Sequence, residues 1–155
     1  MTSIEEIMQT ELVTADVEET VESVVARMAE AGVGAALLLE GGKLRAVFTE
    51  RDLLNRVVHE GRSPATTRVL DVSTEQVVTI ARDASIRRCA EAMKKRKARH
   101  VPVVEDGRPV GIVSARDFFE LLADRFESLV EHLRYENRLA ENEDPYDHLG
   151  GGYGR

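Results

Sequence analysis

The sequence predicts an α/β (α+β) fold made of two copies of one β-α-β-β-α unit, and three observations carry that prediction. The first is internal repetition, the signature of a chain built from copies of one structural unit. Thr49-Glu50-Arg51-Asp52 returns as Ser114-Ala115-Arg116-Asp117 at an offset of 65 residues. Carried backwards without a gap, that offset lays Gly42 on Gly107, Glu40 on Glu105, Met28 on Met93, Val21 on Ile86 and Val13-Thr14 on Val78-Thr79. The second is a pair of apolar stripes at helical spacing: Val21, Val24, Val25 and Met28, repeated by Ile86, Cys89, Ala90 and Met93. The third is a pair of tight-turn sequences between apolar runs, Gly41-Gly42 and Asp106-Gly107, where glycine tolerates positive φ.

Each half opens on a short extended run, Leu12-Val13-Thr14 or Val77-Val78-Thr79-Ile80. An amphipathic helix follows, over about 17–31 and about 84–97, with Asp16 and Asp83 as expected caps. Two apolar runs then flank each turn, 35–39 with 45–48 and 101–104 with 110–113. A second helix starts at Glu50 and at Ala115. Residues 59–67, with Gly61 and Pro64, read as the connector. The organisation is thus a first repeat over 1–62, a linker at 63–68, a second repeat over 69–124, a C-terminal helical extension over 125–140 and an acidic, glycine-rich tail over 141–155.

The chain has 155 residues, a net charge of −7 and one cysteine. No apolar run approaches the ~18 residues of a membrane span. The acidic start, Met1 to Glu6, has no apolar stretch, so no signal peptide is expected. Cys89 alone excludes an intramolecular disulfide and a Cys-rich metal site. These features favour the cytoplasm. The negative charge disfavours non-specific nucleic-acid binding, because phosphates are repelled.

Two stretches carry a family resemblance: Ala46-Val47-Phe48-Thr49-Glu50-Arg51-Asp52 and Gly111-Ile112-Val113-Ser114-Ala115-Arg116-Asp117. A strand that runs into [Thr/Ser]-x-x-Asp after a hairpin, twice, resembles the cystathionine-β-synthase (CBS) domain, and 99–107 is similar to that domain's second-strand segment. The resemblance spans about 4–123. It implies a pair of repeats related by a pseudo-twofold axis, with two clefts that take AMP, ADP, ATP or S-adenosylmethionine, and a flat homodimer. It further implies that the sites draw on Val13, Thr14, Ala15 and Ala36 in the first half and on Thr79, Ile80, Arg99, His100, Val101 and Pro102 in the second. Ser73 stands where the family commonly has methionine.

The chemistry of the motif can be argued independently. Thr49 and Ser114 sit where a strand gives way to a helix, and a hydroxyl there can bond a phosphate oxygen beside unpartnered backbone N–H groups. Asp52 and Asp117 lie three residues on, on the same face, and a carboxylate matches the paired hydroxyls of a ribose. The same spacing is also a helix cap, and both roles can hold together. Gly111 and Pro102 match the family where the first half has Ala46 and Leu37, and Arg99-His100-Val101 stands where the first half has Gly34-Ala35-Ala36, so the first cleft is expected to be more apolar and less able to hold phosphate than the second.

Lys94-Lys95-Arg96-Lys97-Ala98-Arg99 reads either as a solvated helix end or as a source of phosphate contacts from Arg99 and Lys97. Arg51 and Arg116 can pair with a phosphate or with a carboxylate. His100 reads as structural and Cys89 as a buried small hydrophobe. His59, His132 and His148 show no metal-ligand spacing, and no nucleophile, P-loop or dinucleotide motif is present. The expected function is therefore non-catalytic: a sensor of an adenosyl small molecule that regulates a separate protein. The alternative is a ligand-free dimerisation module. Phe119, Leu122, Phe126, Leu129 and Leu133 continue the last helix as an apolar row suited to a dimer contact.

Overall fold

The structure, a computed structural model, describes residues 3–142, with side chains through Leu139. Its elements in chain order are β1 (Thr14–Asp16), α1 (Val21–Ala31), β2 (Ala35–Glu40), β3 (Lys43–Thr49), α2 (Glu50–Asp52), α3 (Ile86–Arg96), β4 (His100–Glu105), β5 (Arg108–Ser114) and α4 (Ala115–Asn142). Single-turn 3₁₀ segments lie at Ile4–Glu6 and Val69–Val72, and α2 continues as a π-helix over Leu53–Val58. One compact unit ends at Asp117; a second begins at Phe118.

The 65-residue offset holds at the level of single hydrogen-bonded positions. β2–β3 and β4–β5 are antiparallel hairpins, and each carries its register shift at the same place, Leu38/Leu39 and Val103/Val104. Their turns need two successive positive φ angles, met by Gly41 (60°) with Gly42 (78°) and by Asp106 (50°) with Gly107 (77°). Both long-helix caps lie downstream of the expected aspartates. Thr20 Oγ1 accepts from Ser23 N–H and Ser85 Oγ from Arg88 N–H. Asp16 instead closes a local turn, accepting from Glu18 N–H at 2.9 Å. The first helical N–H groups, of Val21 and Glu22, donate to Thr67 and Pro64 in the connector.

One strand is not duplicated. β1 runs parallel to β2, and Leu37 N–H donates to the Val13 carbonyl at 2.9 Å. The equivalent of Leu37 is Pro102, which has no N–H to offer Val78. The expected strand over Val77–Ile80 is accordingly reduced to one bridge, Ile80 with Val103.

The segments that lead each repeat cross over. Gln9, ahead of the first repeat, pairs with Ile112 of β5, while Thr74, ahead of the second, pairs with Val47 of β3. Ile4 N–H donates to Ala84 O and, symmetrically, Val69 N–H to Glu19 O. Val69 and Val72 are consequently buried in the first repeat's core with Val21, Val24, Met28, Leu38 and Phe48. Complete burial of a valine contributes roughly 1.5–3 kcal/mol, so the crossing segments are integral to the core.

Two sequence departures from the family pattern are one packing event. Gly111 lies against Met8: a Cβ there would sit 2.6 Å from Met8 Sδ. The first repeat's equivalents are Ala46 and Ser73, both buried. A long side chain with no Cβ opposite it is replaced by a short one with a Cβ opposite it. The Ser73 hydroxyl donates to Val69 O at 2.6 Å.

From Phe118, α4 carries Phe119, Leu122, Phe126, Leu129 and Leu133 as exposed apolar side chains. The helix passes the expected end at residue 140 and reaches Asn142. Apart from its first two residues, the tail expected over 141–155 lies outside the described residues.

Candidate ligand site

A cavity of about 380 Å³ opens between the repeats. β3 and α2 contribute Val47, Thr49, Glu50, Arg51 and Asp52; the crossing segment adds Thr74, Gln76, Val77 and Val78; the end of α3 and start of β4 add Arg96, Lys97, Ala98, Arg99 and His100; Gly34 completes it. Of the residues expected from sequence, Thr49, Arg51, Asp52, Arg99 and His100 are brought together here. Val13 and Thr14 line a separate groove with Leu12, Arg27, Glu30 and Ala31. Ala15, Ala36, Ile80, Val101 and Pro102 are buried, Ala36 and Ala15 within the first core. Thr79 is exposed.

Asp52 is 7% exposed and closes a capping box with Thr49. Thr49 N–H and the Thr49 hydroxyl both donate to Asp52 Oδ2, at 3.0 and 3.1 Å, and Asp52 N–H donates back to Thr49 Oγ1. Cap and cavity wall are therefore the same residues. Asp52 Oδ1 carries only an ion pair to Arg56 Nε at 3.6 Å, so it keeps capacity to accept from a ligand hydroxyl. Burial raises the Asp52 pKa above the ordinary aspartate value, against the lowering effect of the Thr49 bonds and of Arg56 and Arg51.

Ser114 and Asp117 repeat the box but are disposed differently. Ser114 N–H and Oγ–H donate to Asp117 Oδ2, and Gln9 Nε2 donates to Oδ1 at 3.0 Å. Both oxygens of Asp117 are thus engaged within the chain. Arg116 also has a partner within the chain.

The cavity is electropositive on a protein of net charge −7. Among the described residues, no salt bridge or side-chain hydrogen bond engages Arg51, Arg96, Lys97 or Arg99. Burial pushes the His100 pKa down, outweighing Glu50 and Asp117, so the ring is held neutral near pH 7. Lys97 takes the left-handed conformation (φ 52°) that Gly32 takes at the end of α1. Among the described residues, no group of three or more His, Cys, Asp and Glu is placed to hold a metal ion. No described helix is long and apolar enough to cross a membrane.

A family model for the CBS domain matches residues 4–59 and again 69–124. The chain belongs to the CBS domain family. It is 30% identical over 128 residues to the CBS domain-containing protein CBSX3, mitochondrial, of Arabidopsis thaliana, covering 75% of this chain and 62% of that one. It is 27% identical over 121 residues to protein MK0525 of Methanopyrus kandleri, again covering 62% of that protein. The chain thus spans just under two thirds of these relatives' length. Among solved structures, a signal-transduction protein with CBS domains from Burkholderia ambifaria superposes with a TM-score of 0.73 at 28% identity, covering 78% of this chain and 93% of that one. The CBS domain pair of protein MJ0100, in complex with 5′-methylthioadenosine and S-adenosyl-L-methionine, shares the fold with a TM-score of 0.71 at 23% identity, covering 78% and 99%.

Within the CBS pair, the grouping of side chains differs from a repeat-by-repeat reading. The basic run after α3 faces the Thr49–Asp52 box of the other repeat. Arg96, Lys97 and Arg99 therefore line the cavity of the first motif, whereas the sequence assigns Arg99 to the second half's site. Sequence reasoning missed Gly34, Glu50, Thr74, Gln76 and Arg96 as wall residues. Nothing in the linear pattern marks the crossover that brings Thr74 and Gln76 there.

Proposed function

We propose that this CBS pair is a non-catalytic regulatory module that binds an adenosyl ligand bearing phosphate in the cavity at Thr49–Asp52. The observation that carries the reading is the juxtaposition of one incompletely engaged buried carboxylate with four cations free of salt bridges in a cavity of nucleotide size. Asp52 Oδ1 accepts from the ribose, the Val47, Val77 and Val78 side chains pack on the base, and Arg51, Arg96, Lys97 and Arg99 neutralise phosphate. The ligand spans both repeats, so it biases their packing and thereby the affinity for a separate partner protein. The exposed row on α4 supports self-association into a homodimer, and cytoplasmic residence fits an adenine nucleotide as the signal. That row also favours the second reading, a dimerisation module without ligand.

Thermal shift and calorimetry with adenosine, AMP, ADP, ATP, S-adenosylmethionine and NAD separate the two. A ligand at a hundred times its Kd stabilises by about 2.7 kcal/mol, or roughly 5–10 °C for a chain of this size. The response should grow with phosphate number, weaken with salt and vanish in Asp52→Ala. Absence of any response, with a concentration-dependent dimer, leaves the second reading.

A further inference from the structure

We infer that the two motifs of this chain are not equivalent: Thr49–Asp52 opens on a cavity suited to a phosphate-bearing nucleoside, whereas Gln9 plugs Ser114–Asp117 against a ribose, and that second motif lacks the counter-charges for phosphate. The inference rests on the reading that the motif aspartates accept from a ribose. Two independent differences between symmetry-equivalent positions carry it.

The first is the plug. Gln9 and Thr74 occupy equivalent places on the crossing segments, each fixed by a reciprocal pair of backbone bonds, to Ile112 and to Val47. Gln9 reaches Asp117 Oδ1 with its amide, while Ser114 holds Oδ2. Threonine is too short to reach across in the same way, and no described bond joins Thr74 to Asp52. A ribose at Asp117 must displace an amide donor; a ribose at Asp52 need not.

The second is charge. Arg96 and Lys97 of the first cavity correspond to Ala31 and Gly32, and Gln76 corresponds to Glu11. Arg99 lines the first cavity. The counterpart of Arg51 is Arg116, so the two motifs do not differ at that position. Phosphate therefore has counter-charges from Arg96 and Lys97 at the first motif, while the corresponding positions for the second carry none and replace Gln76 with Glu11.

The test is binding stoichiometry of the full chain by equilibrium dialysis with ATP and with adenosine, in wild type and in Gln9→Thr, the first repeat's own residue. Wild type should bind one ATP and one adenosine. Gln9→Thr should still bind one ATP but two adenosines, and Asp117→Ala added to it should return adenosine to one. Two adenosines on wild type, or one on a folded Gln9→Thr chain, overturns the plug. Two ATP on Gln9→Thr overturns the charge argument. If neither compound binds either chain, the nucleotide reading itself falls, and this inference with it. One ATP on wild type, lost in Asp52→Ala, keeps that reading whatever Gln9→Thr does.

Discussion

Gly111→Ala is the most discriminating perturbation of the fold, because most of its cost should depend on the residue at position 8. An added Cβ would stand 2.6 Å from Met8 Sδ, 3.1 Å from Met8 Cγ and 3.2 Å from the Gln9 carbonyl oxygen. Carbon contacts are optimal at about 3.5–4.0 Å, so the sulfur is about 1 Å too close. Overpacking of this kind costs about 1–3 kcal/mol. Met8 is unbranched and partly exposed and can rotate away, which favours the lower half of that range. Opposing it, alanine at a strand position with ordinary φ lowers unfolded-chain entropy and contributes about 0.4–1 kcal/mol. In wild type the net is a loss of about 1 kcal/mol. With Met8→Ser the two side-chain clashes are gone and only the 3.2 Å approach to the Gln9 carbonyl remains, so the same Gly111→Ala change should come close to neutral, the entropy gain of about 0.4–1 kcal/mol offsetting that contact. Urea unfolding of the four chains of the cycle gives the coupling directly, expected at about 1–2 kcal/mol. Additivity within about 0.5 kcal/mol would refute the claim that Met8 and Gly111 are one packing unit.

Three further outcomes are expected. Burial holds the Asp52 pKa above its ordinary value of 3.8, so the folded state binds the proton more readily than the unfolded one. Stability therefore falls as pH rises from about 3.8 through the folded pKa and stays lower above it. Asp52→Asn removes that loss while keeping an acceptor for Thr49: at pH 7 its Tm should match or exceed wild type while its ligand-induced shift disappears, and a Tm lower by several degrees would contradict the argument. Lys97→Gly relieves a left-handed non-glycine residue and should raise stability by about 1 kcal/mol, read by urea unfolding. The same change removes a cation from the cavity and should weaken ATP binding with a shallower salt dependence. Cys89 is buried and its thiol is pushed up to about 11, so at pH 8 only about one molecule in a thousand carries the thiolate. A thiol-specific dye should label it at the rate of global opening and at once in urea; fast labelling of native protein would show that the α3 face is not closed.

Much of the fold was legible because it depends on local chemistry repeated at a fixed interval. Gly41-Gly42 and Asp106-Gly107 gave both hairpins, since few other residues accept two consecutive positive φ angles. The stripes on α1 and α3 gave both helices, but not their starts. Asp16 was drawn into a turn of its own, and the connector's carbonyls accept from Val21 and Glu22, which places the first cap at Thr20; the second lies at Ser85. The missing ladder at Val77–Ile80 follows from a single proline whose cost appears only once its partner is known. The site was legible in parts. Thr49 and Asp52 declared themselves by spacing, and Arg99 and His100 by charge and position, but sequence assigned them to opposite clefts. That assignment depends on the crossing of segments between repeats, which rests on long-range pairing such as Gln9 with Ile112 and leaves no periodic trace.

The exchanged leading segments have a bearing on what a break in the chain would do. A protease nick in the connector, at 59–67, would release no free-standing half, because each fragment still lends Ile4 or Val69 to the other's interior. The two pieces should co-migrate, and separately expressed halves should find each other. Covalent continuity at the connector is then a convenience of assembly, and what makes the molecule single is the mutual loan of buried side chains.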